Sequence, residues 1–293
     1  MKIIFLSLRG NIIGDSVREI ALAKKYFHDY NLKNKIIYPC GSIIFELLRN
    51  NKYLEPVLIK KFNYLTKNIS KYKKLFYLLK GFSYLLKLKD KYDFVIYLGN
   101  KYFIRKVFAK FYAKLCSAKY KKDCFENAKG YYPELFFTKK DENRIKKYLP
   151  KNNLKTIAIN IESKDHERCW KIEKYFQLIK ELTKKYNVIL LGLDKKYNSV
   201  ITSNINKNLI NLVGKLNINE SALIIKNSTL YLGNDSGLIH IAYSLKTPVI
   251  TILSNIVSIT YKKIFNKNTV VKLLKKPPIL IVLKNVELML NDK

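Results

Sequence analysis

Short apolar runs alternate along the chain with longer segments whose apolar residues recur at helical spacing. The short runs are rich in Ile, Val, Leu and aromatic residues, as is typical of buried strands. Predicted strands are KIIFLSL (2–8), KIIYPC (35–40), VLIK (57–60), DFVIYLG (93–99), TIAINI (156–161), NVILLGL (187–193), LYLGN (230–234) and TPVITIL (247–253). Predicted helices cover 16–30, 42–51, 64–90, 101–118, 173–186, 220–228 and 237–245. This alternation predicts an α/β fold whose parallel sheets carry helices on both faces.

A polar segment, PKNNLK (150–155), interrupts the alternation near the middle of the chain. A length of 293 residues also favours two domains. We therefore place the domain boundary near residue 151, which divides the chain into domains at 1–150 and 151–293. Because the two halves have similar size and pattern, we expect two Rossmann-like domains.

The charge is strongly positive, with 56 Lys and Arg against 22 Asp and Glu and a formal net charge of +34. Such an excess attracts polyanions such as nucleic acid, anionic lipid or phosphorylated glycans. A compositional bias toward Lys, Asn and Ile would also produce it. The predicted helix at 64–90 mixes Lys with Leu, Phe and Tyr, which suits either an anionic membrane surface or an ordinary helix with a solvated Lys face.

Other classes of protein are disfavoured by the sequence. No pair of cysteines has C-x-x-C spacing and the three histidines lie far apart, which argues against a zinc site. The first apolar run is too short for a signal peptide, and no stretch approaches the ~20 apolar residues that span a bilayer. We therefore expect a soluble cytoplasmic protein, and contact with a membrane surface stays open.

Two glycine-containing turns follow predicted strands, and ligands of open α/β sheets bind outside the carboxyl ends of strands. These turns are RGNIIGDS (9–16) and GNDSG (233–237). In the second turn, Ser236 and Gly237 stand at the start of a predicted helix. Their backbone amides would be free of helical hydrogen bonds, and a helix N-terminus of this kind binds anions. His240 follows one helical turn later. The Asp235 carboxylate would accept hydrogen bonds from ligand hydroxyl groups or stabilise the turn. Helix capping is the alternative for Asp235 and Ser236, but the flanking glycines and His240 favour a binding site. For Asp15, the spacing alone favours neither a helix cap nor a functional role over the other.

The stretch GNDSGLIHIAYSLKTPVITIL (233–253) resembles the signature of glycosyltransferase family 9, the lipopolysaccharide heptosyltransferases. The family pattern is roughly D-[ST]-G-x-x-H-x-A-x-A-x-x-x-P. The matching residues here are Asp235, Ser236, Gly237, His240, Ala242 and Pro248. The pattern is long and specific, so the resemblance indicates a nucleotide-sugar site in the C-terminal half.

The resemblance extends over most of residues 1–253. Gly14 and Asp15 stand where the family has Gly-Asp, and KYDFVIYL (91–98) is similar to a family strand. ESKDHERCWKIEKYFQLI (162–179) resembles the stretch that opens the family's second domain, with Ser163 and Arg168 at a hydroxyl and a lysine position. The chain departs from the family where Ala21 and Lys171 replace proline and in its divergent tail after Leu253. These departures affect the expected choice of acceptor more than the expected donor chemistry.

The resemblance implies a GT-B fold, in which two Rossmann-like domains face each other across a cleft. It implies inverting, metal-independent transfer of heptose from ADP-heptose to the inner core of lipopolysaccharide or lipooligosaccharide, with no cofactor besides the nucleotide sugar. The N-terminal domain would bind the acceptor, with Gly14 in the acceptor-side turn and Asp15 as catalytic base. The C-terminal domain would bind the donor through Ser163, Arg168, Asp235, Ser236, Gly237 and His240. Asp194 is a weaker candidate for a ribose contact, and an ordinary loop aspartate is its alternative.

The implied partners are a nucleotide sugar, a lipid-linked anionic oligosaccharide and the anionic inner face of the cytoplasmic membrane. A family 9 enzyme with another nucleotide sugar, for capsule or O-chain synthesis, is one alternative. A non-enzymatic basic protein that binds nucleic acid is another. The sequence lacks helix-turn-helix, zinc-finger and RRM signatures, so no nucleic acid partner is expected.

Overall fold

A computed structural model shows two compact units, Met1–Phe136 and Phe137–Lys293, each built on a parallel sheet. The structure describes residues 1–8, 12–66, 70–88, 90–98, 103–123, 127–128, 130–163, 169–193, 207–253, 271–275 and 277–291. Among the helices of these residues, none is both long enough and apolar enough to cross a membrane.

The first unit contains a five-stranded parallel sheet in the order β3-β2-β1-β4-β5. Its elements are β1 (Ile3–Leu6), α1 (Ile13–Asp29), β2 (Ile36–Cys40), α2 (Ser42–Leu48), β3 (Leu54–Leu58), α3 (Lys71–Leu86), β4 (Phe94–Leu98), α4 (Phe103–Leu115) and β5 (Lys119–Asp123). A 3₁₀ helix, Lys60–Thr66, precedes α3. Ile4 of β1 pairs with Ile37 of β2 and Val95 of β4, which places β1 in the middle of the sheet.

Apolar side chains cover both faces of the first sheet, as expected of parallel strands. On one face, β1 and β2 pack against α1 and α2 through residues such as Phe5, Ile20 and Ile44. On the other face, α3 and α4 cover β1 and β4 through residues such as Leu78 and Tyr112.

The second unit contains a six-stranded parallel sheet in the order β11-β10-β9-β6-β7-β8. Its elements are α5 (Lys139–Ile145), β6 (Thr156–Asn160), α6 (Ile172–Leu182), β7 (Asn187–Leu191), β8 (Leu209–Asn211), α7 (Ile218–Lys226), β9 (Leu230–Asn234), α8 (Gly237–Ser244), β10 (Val249–Leu253), β11 (Val271–Lys275) and α9 (Ile279–Asn291). In both sheets the order reverses beside the first strand, as in Rossmann sheets. The predicted fold class, α/β with two Rossmann-like sheets, is confirmed.

The two units divide earlier along the chain than the boundary that the sequence suggested near residue 151. The reason is α5, a helix that the apolar pattern missed. Thr138 and Asp141 form a capping box at its start, and Glu142 lies 3.6 Å from Lys226 Nζ of α7. Ile145 is buried, so α5 belongs to the second unit.

Other described elements were also absent from the prediction, among them the short strand β8. The edge strand β5 has the sequence KYKKD, whose polar residues give no signal of a buried strand. Beyond Leu253, β11 pairs with β10 and α9 packs into the core of the second unit through Val282 and Val286. The divergent tail therefore completes the second sheet.

The ring of Phe62 packs directly against Gly81 of α3. Phe62 is fully buried, and a Cβ atom at position 81 would lie 2.3 Å from its ring carbon Cε1. The 3₁₀ helix can therefore approach α3 this closely only because residue 81 has no side chain.

Gly81→Ala should lower the free energy of unfolding by about 1–3 kcal/mol, because overpacking outweighs the helix propensity gained with alanine. Ser83→Ala, at an exposed position of the same helix, is the control and should be nearly neutral. Denaturant unfolding of the two variants measures the difference. Equal stability would contradict the close contact between Phe62 and α3.

Candidate active site

The candidate donor site lies where β6 and β9 end side by side. The strand order of the second sheet reverses between these two strands, and α/β sheets bind ligands at such a point. Each strand ends in asparagine, Asn160 in β6 and Asn234 in β9. The loop from β6 to α6 starts here, and the GNDSG turn starts here too.

Asn234 connects both ends of the loop between β6 and α6 to β9. Its side chain is fully buried. Its Oδ1 accepts hydrogen bonds from the Trp170 amide and the Tyr175 hydroxyl, each at 2.9 Å. Its Nδ2 donates to the carbonyl oxygen of Ile161 at 2.7 Å. Burial raises the pKa of Tyr175 well above its ordinary value, which keeps its hydroxyl a neutral donor.

A second set of hydrogen bonds brings three predicted donor residues together. Asn160 Nδ2 donates to Ser236 Oγ at 3.0 Å and to the carbonyl oxygen of Glu162 at 2.8 Å. Ser163 Oγ donates to the carbonyl oxygen of Asp235 at 2.9 Å. The loop that carries Ser163 is thus joined to the GNDSG turn.

The turn leads into the N-terminus of α8. Ser236 is the residue before the helix, but its side chain makes no capping hydrogen bond. It accepts from Asn160 instead, so the alternative that Ser236 is an ordinary helix cap is wrong. Ser236 and Gly237 are half-buried, and His240 lies one turn later and is mostly buried. The positive end of the helix dipole is therefore partly accessible here, as an anion site requires.

Gly233 has a different role from the one expected. A Cβ atom there would lie 2.8 Å from the backbone oxygen of Asn160 and 2.9 Å from the Tyr231 hydroxyl. The space beside Gly233 is thus filled by the protein, so the expectation that this flanking glycine indicates a binding site needs correction. Its role is to let β9 approach β6 at the end of the sheet.

The remaining predicted donor residues differ in what the structure says of them. Arg168 and Asp194 lie outside the described residues. The neighbouring Trp170 is buried and packs edge-on against Tyr175, with ring centroids 5.1 Å apart. A residue that the sequence did not suggest is Glu162, whose Oε2 accepts a hydrogen bond from the Leu193 amide at 2.9 Å. It connects the ends of β6 and β7.

In the first unit, Asp15 lies in the first turn of α1. The helix begins at Ile13, so Asp15 is inside it and the capping alternative is wrong. Asp15 forms an ion pair with Arg18, and Arg18 Nε also donates to the carbonyl oxygen of Gly14 at 3.2 Å. Both side chains are mostly buried, and Arg18 therefore restrains the direction of the Asp15 carboxylate.

Behind Asp15, the buried carboxylate of Glu19 connects α1 to the sheet. It accepts hydrogen bonds from the Tyr38 hydroxyl and, at 3.2 Å, from Ser7 Oγ. Burial and the Glu19 charge raise the pKa of Tyr38 well above its ordinary value. Because Ser7 follows β1 and Tyr38 belongs to β2, these bonds connect α1 to two neighbouring strands.

Sequence reasoning missed Asn160, Asn234, Arg18 and Glu19. A signal for the asparagines was available, since both TIAIN and LYLGN end in the same amide residue where parallel strands end. Arg18 and Glu19 gave no such signal. Across the described part of the chain, no group of three or more His, Cys, Asp and Glu side chains could hold a metal ion.

The sequence pattern of glycosyltransferase family 9 (heptosyltransferase) matches residues 110–278, more than half of the chain. The chain belongs to glycosyltransferase family 9. It is therefore a heptosyltransferase-like glycosyltransferase, and this replaces the alternative of a non-enzymatic nucleic-acid-binding protein. No curated protein sequence matches the chain.

Solved structures share the fold of this family 9 enzyme. ADP-heptose LPS heptosyltransferase II from E. coli has a TM-score of 0.74 and 15% identity, over 100% of this chain and 99% of that chain. A family 9 glycosyl transferase from Veillonella parvula has a TM-score of 0.75 and 13% identity, over 100% and 98%. E. coli heptosyltransferase WaaC with ADP has a TM-score of 0.67 and 11% identity, over 99% and 100%. The GT-B fold is thus confirmed.

Replacing Asn234 by leucine should destabilise the second unit. The change leaves the Trp170 amide, the Tyr175 hydroxyl and the Ile161 carbonyl without their buried partner, at a cost of at least about 2 kcal/mol. We expect a lower thermal midpoint and, because the Ser163 loop loses its anchor, weaker binding of ADP in calorimetry.

Asn285→Leu is the control for this substitution. Asn285 is half-buried on α9 and bonds only within its own helix among the contacts described, through Nδ2 to the Ile281 carbonyl at 2.8 Å. It should change neither property. If Asn234→Leu matched the wild type in both, the anchoring role of Asn234 would be wrong.

Proposed function

We propose that this family 9 enzyme transfers heptose from ADP-heptose to the inner core of a lipid-linked oligosaccharide, with inversion and without a metal ion. The reaction takes place in the cytoplasm, at the inner face of the membrane that holds the acceptor. Residues 1–136 bind the acceptor and residues 137–293 bind the nucleotide sugar.

The observation that carries this proposal is the joined turn of Ser163, Asp235 and Ser236 at the start of α8. A leaving nucleoside diphosphate gains negative charge in the transition state, and preorganised donors stabilise such charge. The amides of Ser236 and Gly237 are donors of this kind, and the Ser163 hydroxyl holds the turn that presents them through its hydrogen bond to the Asp235 carbonyl. Arg168 adds a positive charge, and His240 adds a donor to the diphosphate or the sugar.

Asp15 is the proposed general base. The acceptor hydroxyl transfers its proton to the Asp15 carboxylate while its oxygen forms a bond to the anomeric carbon. The bond from that carbon to the diphosphate oxygen breaks on the opposite face, so the configuration inverts and ADP leaves. Arg18 keeps the carboxylate in one orientation, and Gly14 supplies the turn beside it. General-base assistance is typically worth ~10²–10⁴-fold in rate.

The choice of donor rests on the family and its relatives. The WaaC structure contains ADP, and heptosyltransferase II is named for ADP-heptose. Asp194 is a candidate contact for the ribose of the donor. A different nucleotide sugar, used for capsule or O-chain synthesis, is the second candidate, because the divergent tail forms β11 and α9 of the donor unit.

Turnover of ADP-heptose with a heptose-deficient core acceptor tests this function. We expect transfer by the wild type that is unchanged in EDTA, and a kcat at least ~10²-fold lower for Asp15→Asn. ADP binding by Asp15→Asn should equal that of the wild type, because the donor contacts lie in the other unit.

Asp29→Asn provides the matched control. Asp29 ends the same helix and pairs with Lys25 four residues earlier, as Asp15 pairs with Arg18, but it lies at the exposed end of α1. Its variant should turn over normally. Transfer from UDP-, GDP- or CMP-sugars in place of ADP-heptose would overturn the donor assignment, and loss of activity in EDTA would overturn the metal-free mechanism.

A further inference from the structure

Helix α3 carries two apolar stripes, of which the core uses one. Leu78, Phe82 and Leu85 are buried against the first sheet. A second stripe, formed by Tyr72, Phe76 and Leu79, repeats at spacings of four and three residues on another side of the helix. Tyr72 is 86% exposed, and the other two are about half exposed. An ordinary surface helix has polar residues at such positions.

Helix α4 shows the same arrangement. Ala109 and Tyr112 are buried in the same core cluster as α3. Phe103 is 79% exposed, and Val107 and Phe111 are about half exposed, again one helical turn apart.

The two exposed stripes belong to one face of the first unit. Both helices cover the same side of the sheet. The ring of Phe82 lies 4.9 Å from that of Phe108 and 6.1 Å from that of Phe111, measured between centroids. Leu79 lies one helical turn from Phe82. The α3–α4 surface is defined by Tyr72, Phe76, Leu79, Phe103, Val107 and Phe111.

Positive charge is concentrated around this surface. Neither α3 nor α4 contains an Asp or Glu. Residues 60–122 contain 18 Lys and Arg and two Asp, a net charge of +16, whereas the rest of residues 1–136 contains 10 basic and 8 acidic residues, a net charge of +2. A compositional bias alone would spread the excess evenly over the unit.

Lysine side chains lie beside the exposed rings. Lys80 Nζ is 4.4 Å from the ring centroid of Phe76, and Lys87 Nζ is 5.1 Å from that of Tyr84. Long lysine side chains can cover apolar surface with their methylene groups while the ammonium group contacts phosphate. Exposed aromatic rings next to ammonium groups match the boundary between lipid headgroups and acyl chains.

We infer that the α3–α4 surface docks on an anionic lipid bilayer, with its aromatic side chains inserted below the phosphates. Anionic lipid attracts the acid-free helices, and burial of the rings adds binding that salt does not screen. A second copy on this face would place lysines against lysines, and a nucleic acid would leave the apolar stripes in water. Docking would bring the enzyme to a lipid-linked acceptor, a connection that rests on the proposed function.

Binding to vesicles without any acceptor tests the surface separately from transfer. Wild type should co-sediment with vesicles that are about one-third phosphatidylglycerol and bind neutral phosphatidylcholine at least about tenfold more weakly. Phe76→Ser with Phe103→Ser should weaken binding to the anionic vesicles at least about tenfold. Lys73→Gln with Lys80→Gln and Lys110→Gln should weaken it at least as much.

Leu280→Ser is the control for lost apolar surface, because Leu280 is 75% exposed on α9 of the other unit. It should bind vesicles like the wild type. All variants change exposed residues, so their thermal midpoints should match the wild type and show that they are folded.

Insertion has its own readout. The native Trp170 is buried in the second unit. The fluorescence of a tryptophan placed in the α3–α4 surface can therefore be distinguished from that of Trp170 by comparison with the wild type. Lipids brominated on their acyl chains should quench the tryptophan fluorescence of Phe103→Trp more strongly than that of the wild type. They should quench Leu280→Trp no more than the wild type. Binding that the Phe→Ser pair leaves unchanged, or the absence of quenching, would overturn insertion. Self-association lost in that pair, without vesicle binding, would instead identify a second copy as the occupant.

Discussion

The second unit depends on the pairing of one buried amide, that of Asn234. Where β9 ends, loops begin, and the polar groups around Asn234 are buried there away from water. Asn234 accepts two hydrogen bonds and donates one, and its three partners lie at both ends of the loop that bears Ser163. A buried amide is tolerated only when its partners are present. The same requirement that keeps the unit folded therefore also positions the candidate donor residues.

In the first unit, a buried carboxylate has the corresponding role. Glu19, Tyr38 and Ser7 form a buried network behind the first turn of α1, and Asp15 is restrained by Arg18 in front of it. Removal of one member of such a network leaves a buried charge unpaired. In both units, a paired polar network is buried behind the groups proposed to meet substrate, and rigid support of this kind is what preorganised catalysis requires.

Much of the fold and part of the site could be predicted from the sequence. Buried parallel strands are almost wholly apolar, so β1, β4, β6 and β9 were evident, and the GNDSG turn followed from the end of β9. β5 was not evident because an edge strand tolerates lysine, and α5 was not because its seven residues, KKDENRI, include only one apolar residue and therefore show no helical period. The roles of Asn234 and Glu19 depend on contacts between segments, as does the tight packing at Gly233. Local patterns contain no record of these contacts.

The positive charge of the first unit is concentrated in one segment. The net charge is divided nearly evenly, +18 in residues 1–136 and +16 in residues 137–293. In the first unit almost all of it belongs to residues 60–122, where two acid-free helices also expose aromatic side chains. Neighbouring lysines repel one another and exposed rings are unfavourable in water, so each feature alone costs stability or solubility. Docking on an anionic bilayer, as inferred above, would offset both costs at once, because the bilayer supplies negative charge and an apolar interior to the same face.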